Sequence, residues 1–361
     1  MKIIIFTQNL DFGGVQKSVY LLANYLKKEY DLTIILAEDN KKIRYKIDGI
    51  NILQIKTPLI NIKDPNVGEK LYKYRIIELD NLLNKVKPNI LISYEDYNNL
   101  ITLNCEYKCK KIISCRVSIK DSYEKRRIHL LESEFYYNMI KKLYKKADRI
   151  ITVSESIKNE LIDDFQLDNI ITIYNGIVHN NDVVSSKYSN FILNIGRLHT
   201  QKGQKDLIKA FNEIKDKVDV NLIIVGDGNM KEELLSLVNR FNLGERVLLV
   251  GYDDPYKYIK NCKLFVFPSY YEGFSNTILE VMSCEKNIVS YNYKGSKEIL
   301  YEDNIVPLGN IKKLSEKILY YLNNERENID CSKKLFEKSQ NFTLEKTLQN
   351  YKKEIEALCV E

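Results

Sequence analysis

The stretch from Tyr271 to Glu285, Tyr-Glu-Gly-Phe-Ser-Asn-Thr-Ile-Leu-Glu-Val-Met-Ser-Cys-Glu, constrains this chain more than any other. Just before it, Lys263-Leu-Phe-Val-Phe267 is a short apolar run closed by Pro268, which predicts a buried strand. Within it, Ile278, Val281 and Met282 fall on one helical stripe between Thr277 and Cys284. Gly273 permits a tight turn, and either Ser275 or Asn276 can cap the helix that follows. Strand, glycine turn and capped helix leave unpaired backbone N–H groups and a positive dipole end at the carboxyl edge of a parallel sheet, a seat for an anion. Glu272 stands in the turn and Glu280 about one turn into the helix. On spacing alone two such glutamates are more readily solvated surface charges. As a pair framing an anion seat they suit the hydroxyls of a phosphate-bearing ligand, which describes a nucleotide sugar.

What surrounds that stretch has the same grammar. Apolar runs such as Ile3–Phe6, Leu32–Leu36, Asn89–Ser93, Lys111–Cys115 and Arg149–Val153 alternate with helical stripes such as Val15, Val19, Leu22, Ala23 and Leu26. A long helical region is expected to run up to Lys146. A second alternation begins at Phe191–Ile195 and continues through strands at Asn221–Val225, Val247–Val250, Leu264–Phe267 and Asn287–Ser290. Helices are expected at Gln204–Ile214, Met230–Phe241, Ile311–Asn323 and Thr343–Leu358. Such alternation builds parallel sheets with right-handed crossovers. At 361 residues the chain exceeds one ordinary core, so two α/β domains facing across a cleft are expected. The polar run from Asn175 to Asn190 reads as the linker between them.

Three further groups stand at strand ends. Asp11-Phe12-Gly13-Gly14 opens the first helix; its paired glycines allow close approach to the backbone, but the spacing does not meet the Gly-x-Gly-x-x-Gly fingerprint. Asn194-Ile195-Gly196-Arg197 ends a strand and Lys202-Gly203 opens a helix, putting a planar guanidinium and a compact ammonium at one sheet edge. Gly226-Asp227-Gly228 either turns the chain or makes room for a base and ribose. No Asp-x-Asp, Gly-x-Ser-x-Gly, Walker loop or His-Glu-x-x-His occurs. A carboxylate-held metal is therefore unsupported, and the charge of a departing diphosphate falls to Arg197, Lys202 and helix amides.

The net charge of +6 is too small to point to nucleic acid. From Cys105 to Arg149, however, the chain carries 13 Lys/Arg against 6 Asp/Glu, with Tyr136, Tyr137, Met139, Ile140, Leu143 and Tyr144 interleaved among Lys141, Lys142, Lys145 and Lys146. That is either a basic amphipathic stretch for an anionic membrane surface or an ordinary helix with a solvated lysine face. Cys105, Cys109 and Cys115 lack a Cys-x-x-Cys element, which disfavours zinc. Seven scattered cysteines and an initial apolar run too short for a signal peptide lead us to expect a cytoplasmic protein with reduced thiols.

Taken together, Gly13-Gly14, Asn175-Gly176, Gly196-Arg197, Lys202-Gly203, Gly226-Asp227-Gly228 and Glu272-x7-Glu280 occur in the order and spacing of a known family. The chain resembles the retaining glycosyltransferases of family 4, with the GT-B fold. The resemblance covers essentially the whole chain and is strongest from Val153 to Pro307. It implies an N-terminal Rossmann-like acceptor domain over 1–176, a C-terminal nucleotide-sugar domain over 177–342, and a final helix, 343–361, that packs back on the first domain. It further implies that Gly13 and Gly14 bring amides near the donor diphosphate and that Arg197 and Lys202 bind its phosphates. Glu272 would touch the donor sugar and Glu280 the ribose. Gly196 and Gly228 line the donor site, and Phe274, Ser275, Asn276 and Thr277 hold phosphates and sugar with their backbone. A UDP-sugar donor, a glycan or lipid-linked acceptor on the inner membrane face, and no metal cofactor are the corresponding expectations for a role in surface-polysaccharide assembly.

Three departures from the family pattern stand out. Val178 replaces the usual Asp two residues after Asn-Gly, and Glu285-Lys286-Asn287-Ile288-Val289 replaces Gly-x-Pro-Val. Where many members carry a first-domain histidine, the strand end reads Ser114-Cys115-Arg116-Val117-Ser118, so Arg116 is a candidate on the acceptor side or simply part of the basic surface. Two other functions fit the same plan: a non-catalytic nucleotide-sugar-binding subunit, disfavoured because Arg197, Lys202, Glu272 and Glu280 all stand, and a sugar-nucleotide epimerase.

Overall fold

The computed structural model describes residues 1–11, 13–39, 42–58, 64–123, 133–178 and 187–360. Phe12, His129, His179 and half of the polar run expected as a linker (179–186) lie outside them. The chain divides into two compact units, Met1–Asn175 with Glu345–Glu361, and Gly176–Leu344.

The first unit is built on strands β1 (Lys2–Thr7), β2 (Asp31–Leu36), β3 (Asn51–Gln54), β4 (Ile90–Tyr94), β5 (Lys110–Cys115), β6 (Arg149–Thr152) and β7 (Ile170–Thr172). They are all parallel, in the order β3-β2-β1-β4-β5-β6-β7. Ile5 lies opposite Ile92 in the central pair, and both are fully buried, as continuous apolar runs require when helices cover both faces of a sheet. The helix Leu344–Val360 sends Tyr351, Ile355 and Leu358 into this core, beside Ile3, Ile5 and Ile34. Thr347 Oγ1 donates to the Tyr174 carbonyl at 2.9 Å and Arg149 pairs with Glu354 at 2.9 Å, fixing its register.

Two features of this unit depart from the sequence reading. A helix, Asp96–Asn104, follows β4 where none is expected, since Asp-Tyr-Asn-Asn is turn-forming composition. It forms because its polar side chains find fixed partners. Asn98 Nδ2 donates to the Tyr94 carbonyl at 3.0 Å and Asn99 Nδ2 to the Ser114 carbonyl at 3.1 Å. Ser93 donates to Asn99 Oδ1 at 2.7 Å, and Tyr144 to Asp96 at 2.8 Å. The long helical region expected before Lys146 is, among the described residues, three pieces: Ile119–Tyr123, Ser133–Leu143 and a 3-10 turn Tyr144–Lys146. Tyr136, Ile140, Leu143 and Tyr144 are buried in the unit's own core. The apolar face of the basic stretch is therefore occupied by the fold, and the exposed part is the lysine face: Lys141, Lys142, Lys145 and Lys146.

The second unit repeats the plan with β8 (Phe191–Ile195), β9 (Asn221–Val225), β10 (Val247–Gly251), β11 (Leu264–Phe267), β12 (Ile288–Tyr291) and β13 (Ile305–Val306). The strands are parallel, in the order β10-β9-β8-β11-β12-β13. From β8 the chain first builds outward through β9 and β10, then returns to β11 on the other side. The β8–β11 boundary is therefore a topological switch point, where the connections leaving the carboxyl ends diverge and leave a crevice. The sheet's inner residues, Ile192, Leu222, Ile224, Leu264 and Val266, pack with Phe211 and Leu207 of helix Gln204–Ile214. A helix at Glu325–Ser339, unmarked in the sequence reading, buries Cys331 and Leu335.

Candidate active site

Both loops leaving the β8–β11 switch point carry the residues singled out in the sequence. After β8 the chain runs through Gly196 and Arg197, anchors itself with buried Leu198, and makes a 3-10 turn, Thr200–Lys202, that ends at Gly203. Gly203 has φ +63°, and a Cβ there would overlap the Pro268 carbonyl oxygen, so the start of helix Gln204–Ile214 is pressed on the loop after β11. The two loops are also stitched by hydrogen bonds. Tyr270 N donates to the Gln201 carbonyl at 2.8 Å and Gln201 Nε2 to the Tyr271 carbonyl at 2.7 Å. Gln204 Nε2 holds the Arg197 carbonyl at 3.1 Å, and Asn194 Nδ2 the Val266 carbonyl at 2.9 Å. Gln201 and Gln204 are supports that no motif marked.

Lys202 and Glu272 meet in this frame. Lys202 Nζ is 2.6 Å from Glu272 Oε1, with the side chains 20% and 12% exposed. The lysine stem lies along Gly196, its methylenes 3.5–3.7 Å from where a Cβ would sit, and Nζ is 5.4 Å from the centroid of the Phe267 ring. An ammonium has three N–H groups, so the bond to Glu272 leaves two for a ligand. The Arg197 guanidinium, one turn of loop away, is exposed and makes no hydrogen bond or ion pair among the described residues. One cation is thus positioned and the other is available.

The turn after Glu272 closes on Phe274, which is buried with its ring 5.2 Å from that of Phe342. Ser275 is the N-cap: its Oγ accepts from Ile278 N at 3.3 Å and starts helix Asn276–Ser283. Asn276 and Thr277, both half-buried, form the helix's first turn, whose leading N–H groups have no intrahelical acceptor. Glu280 is 7% exposed. It lies close enough to Tyr256 that burial first, and its carboxylate second, push that phenol's pKa up. Tyr293, beyond β12, is a further group the sequence reading did not mark. Its buried hydroxyl has no hydrogen-bond partner among the described residues, and burial, then Glu272, raise its pKa.

Gly226-Asp227-Gly228 serves this loop from the side. Cβ atoms on Gly226 and Gly228 would overlap the Gly196 and Leu198 carbonyl oxygens. Gly196 N donates to the Val225 carbonyl at 3.0 Å and Leu198 N to the Asp227 carbonyl at 2.9 Å. The space both glycines leave is filled by the backbone that carries Arg197.

In the first unit, Gly13 and Gly14 begin helix Gly14–Leu26 at the end of β1, and the place of a Gly13 Cβ is taken by the Gln16 side chain. Arg116, at the end of β5, is 8% exposed. It donates to Asn175 Oδ1 at 2.6 Å and Ser18 Oγ at 3.0 Å, and lies 5.7 Å over the Tyr94 ring. It is thus held inside the unit and is not part of the exposed basic surface. Asn175, expected in the linker, is likewise buried. On the opposite, amino-terminal edge of this sheet is a cavity of about 1120 Å³ lined by Lys87, Lys108, Lys110, Lys111, Lys146 and Asp148 among others. Among the described residues no group of three His, Cys, Asp or Glu is placed to hold a metal ion, and no helix is long and apolar enough to cross a membrane.

Known proteins share this sequence and this architecture. Residues 179–338 match the family described as Glycosyl transferases group 1, and residues 12–181 match Glycosyltransferase Family 4. A relative from Campylobacter jejuni, N-acetylgalactosamine-N,N'-diacetylbacillosaminyl-diphospho-undecaprenol 4-alpha-N-acetylgalactosaminyltransferase, is 31% identical over 320 residues, 84% of each chain. The chain is a family 4, group 1 glycosyltransferase. Solved structures give the transferase its fold class: sucrose-phosphate synthase from Thermosynechococcus elongatus superposes with a TM-score of 0.85 at 17% identity, covering 100% of both chains. Anabaena Alr3699/HepE in complex with UDP-glucose superposes at 0.80 and 16% identity, covering 99% of this chain and 100% of that one. The fold is accordingly GT-B, two Rossmann-like parallel-sheet units.

Proposed function

We propose that the chain moves a sugar from a nucleoside diphosphate sugar, a UDP-sugar first among them, to a hydroxyl of a lipid-linked or glycan acceptor in cell-surface polysaccharide assembly, with retention at the anomeric carbon. The observation that carries this is the Lys202–Glu272 pair at the β8–β11 switch point, next to the Ser275-capped helix start. It sets a cation for phosphate beside a carboxylate for sugar hydroxyls, which is the polarity of a sugar joined to a diphosphate. Support for the substrates comes from the C. jejuni relative, named for a diphospho-undecaprenol-linked acceptor, and from the UDP-glucose in the Anabaena structure.

In this reading Arg197, Lys202 and the amides from Phe274 to Thr277 meet the charge that grows on the diphosphate as the anomeric C–O bond breaks. Glu272 holds the sugar's hydroxyls and Glu280 those of the ribose. The acceptor oxygen bonds to the anomeric carbon on the face the diphosphate leaves, and its proton passes to the departing phosphate oxygen. The charge is compensated by protein cations in place of a bound metal ion, so turnover persists in a chelator. The exposed face of Lys141, Lys142, Lys145 and Lys146 lets the enzyme rest on an anionic membrane where a lipid-linked acceptor resides. The test is turnover against a panel of nucleotide sugars and lipid-linked or oligosaccharide acceptors, with the product's anomeric configuration read by NMR. Donor consumption without any acceptor, with the sugar isomerised on its nucleotide, would refute transfer; an inverted product would refute retention.

A further inference from the structure

Glu95 is a residue that the assignments above leave unused. It follows β4 directly, and β4 and β1 are the pair flanking the first unit's own switch point, so it stands where open α/β sheets present groups to ligands. Its backbone has φ 74° and ψ 139°, a conformation that glycine adopts freely and a side chain rarely does. The Gln8 backbone N–H bonds to its carboxyl, which holds the side chain in place and leaves the second oxygen to be accounted for.

Its carboxyl has unused hydrogen-bonding capacity. Oε2 is buried and has no hydrogen-bond partner among the described residues. Every charged neighbour is engaged elsewhere: Glu38 accepts from Gln8 Nε2 at 2.7 Å and lies 3.9 Å from Arg75, Asp96 accepts from Tyr144, and Arg116 is bound to Asn175 and Ser18. Burial, with Asp96 and Glu38 adding to it and the Gln8 N–H and Arg116 opposing, pushes the Glu95 pKa up to about 7. Near neutrality the group is then substantially protonated, able to donate one hydrogen bond and accept others, as a sugar hydroxyl does.

We propose that Glu95 is the residue through which the first unit binds a sugar hydroxyl of the donor or the acceptor, and so positions that sugar for transfer. The inference rests on the transferase reading above. The experiment is steady-state kinetics on the full chain for wild type, Glu95→Ala and Glu95→Gln, with the donor and acceptor that wild type turns over. Glu95→Ala raises KM for one substrate roughly 10-fold, the loss of one good hydrogen bond, and leaves the other within about 2-fold. The substrate that responds identifies which sugar is held. Glu95→Gln, which also donates and accepts, restores most of that KM and abolishes the rise that wild type shows from pH 6 to 8.5. Wild-type turnover with both KM values unchanged in both variants overturns the role of Glu95 and spares the transferase reading. Lowered thermal stability in both variants with unchanged KM overturns it too, as a purely structural residue. A wild type that transfers from no nucleotide sugar sinks the reading and this inference together.

Discussion

Replacing Gly203 by alanine separates two physical terms in the loop that presents Lys202. The glycine has φ +63°, and a left-handed conformation costs an alanine about 1–2 kcal/mol. The added Cβ would also overlap the Pro268 carbonyl oxygen, a backbone atom just past the end of β11, and overpacking of this kind costs a further ~1–3 kcal/mol. Gly203→Ala should therefore destabilise by about 2–5 kcal/mol. Gly251 supplies the control: its φ is +78°, but nothing lies within 4 Å of its Cβ position, so Gly251→Ala carries the first term alone. The unit spans Gly176–Leu344, a size for which each kcal/mol moves the melting temperature by roughly 2–4 °C. Differential scanning calorimetry on both variants should show the Gly203→Ala loss exceeding the Gly251→Ala loss by at least about 2 °C. Gly203→Ala should weaken nucleotide binding as well, because relief of the overlap moves the turn ending in Lys202. Equal melting shifts with unchanged nucleotide affinity would refute the claim that the Pro268 contact sets the loop's position.

Three further outcomes follow from individual contacts. Asp206 is buried and accepts from the hydroxyls of Tyr270 and Tyr291, the latter at 3.1 Å, so Tyr291→Phe should cost about 1.5–3 kcal/mol by thermal unfolding. Glu95, with its pKa raised to about 7, binds a proton in the folded state that the unfolded chain releases near pH 4.5. Its contribution to stability is thus full below pH 4.5 and is lost as pH rises through 7; relative to Glu95→Gln, wild type should lose roughly 3 kcal/mol between pH 4.5 and 8 and nothing more above that. Glu280→Gln should raise the donor KM about 10-fold with kcat little changed, if it binds ribose equally in ground and transition states; a pure kcat loss would contradict that assignment.

Much of the architecture was legible because parallel strands buried on both faces are written as unbroken apolar runs, such as Ile3–Phe6 and Leu264–Phe267, and helices as stripes between them. Helix Asp96–Asn104 was not, since its asparagines favour turns until Tyr94, Ser93 and Ser114, distant in sequence or outside the helix, supply partners. Spacing brought Lys202 and Glu272 to one sheet edge, but their contact depends on a loop stitched by Gln201 and pressed by Gly203, which no motif announces. The basic stretch shows the converse limit. Interleaved tyrosines and lysines are the same pattern for a membrane-facing helix and a core-facing one, and only the burial of Tyr136 and Tyr144 shows where the apolar side goes. Glu95 escaped notice because a glutamate in sequence reads as solvated; its positive φ and buried oxygen exist only in three dimensions.

The most direct measurement of the central claim is isothermal titration calorimetry of UDP, in the presence of a chelator, against wild type, Arg197→Ala and Lys202→Ala. Each removed charge-assisted contact to a phosphate should weaken binding by about 10- to 100-fold. Unchanged affinity in both variants would place the diphosphate elsewhere and contradict the account.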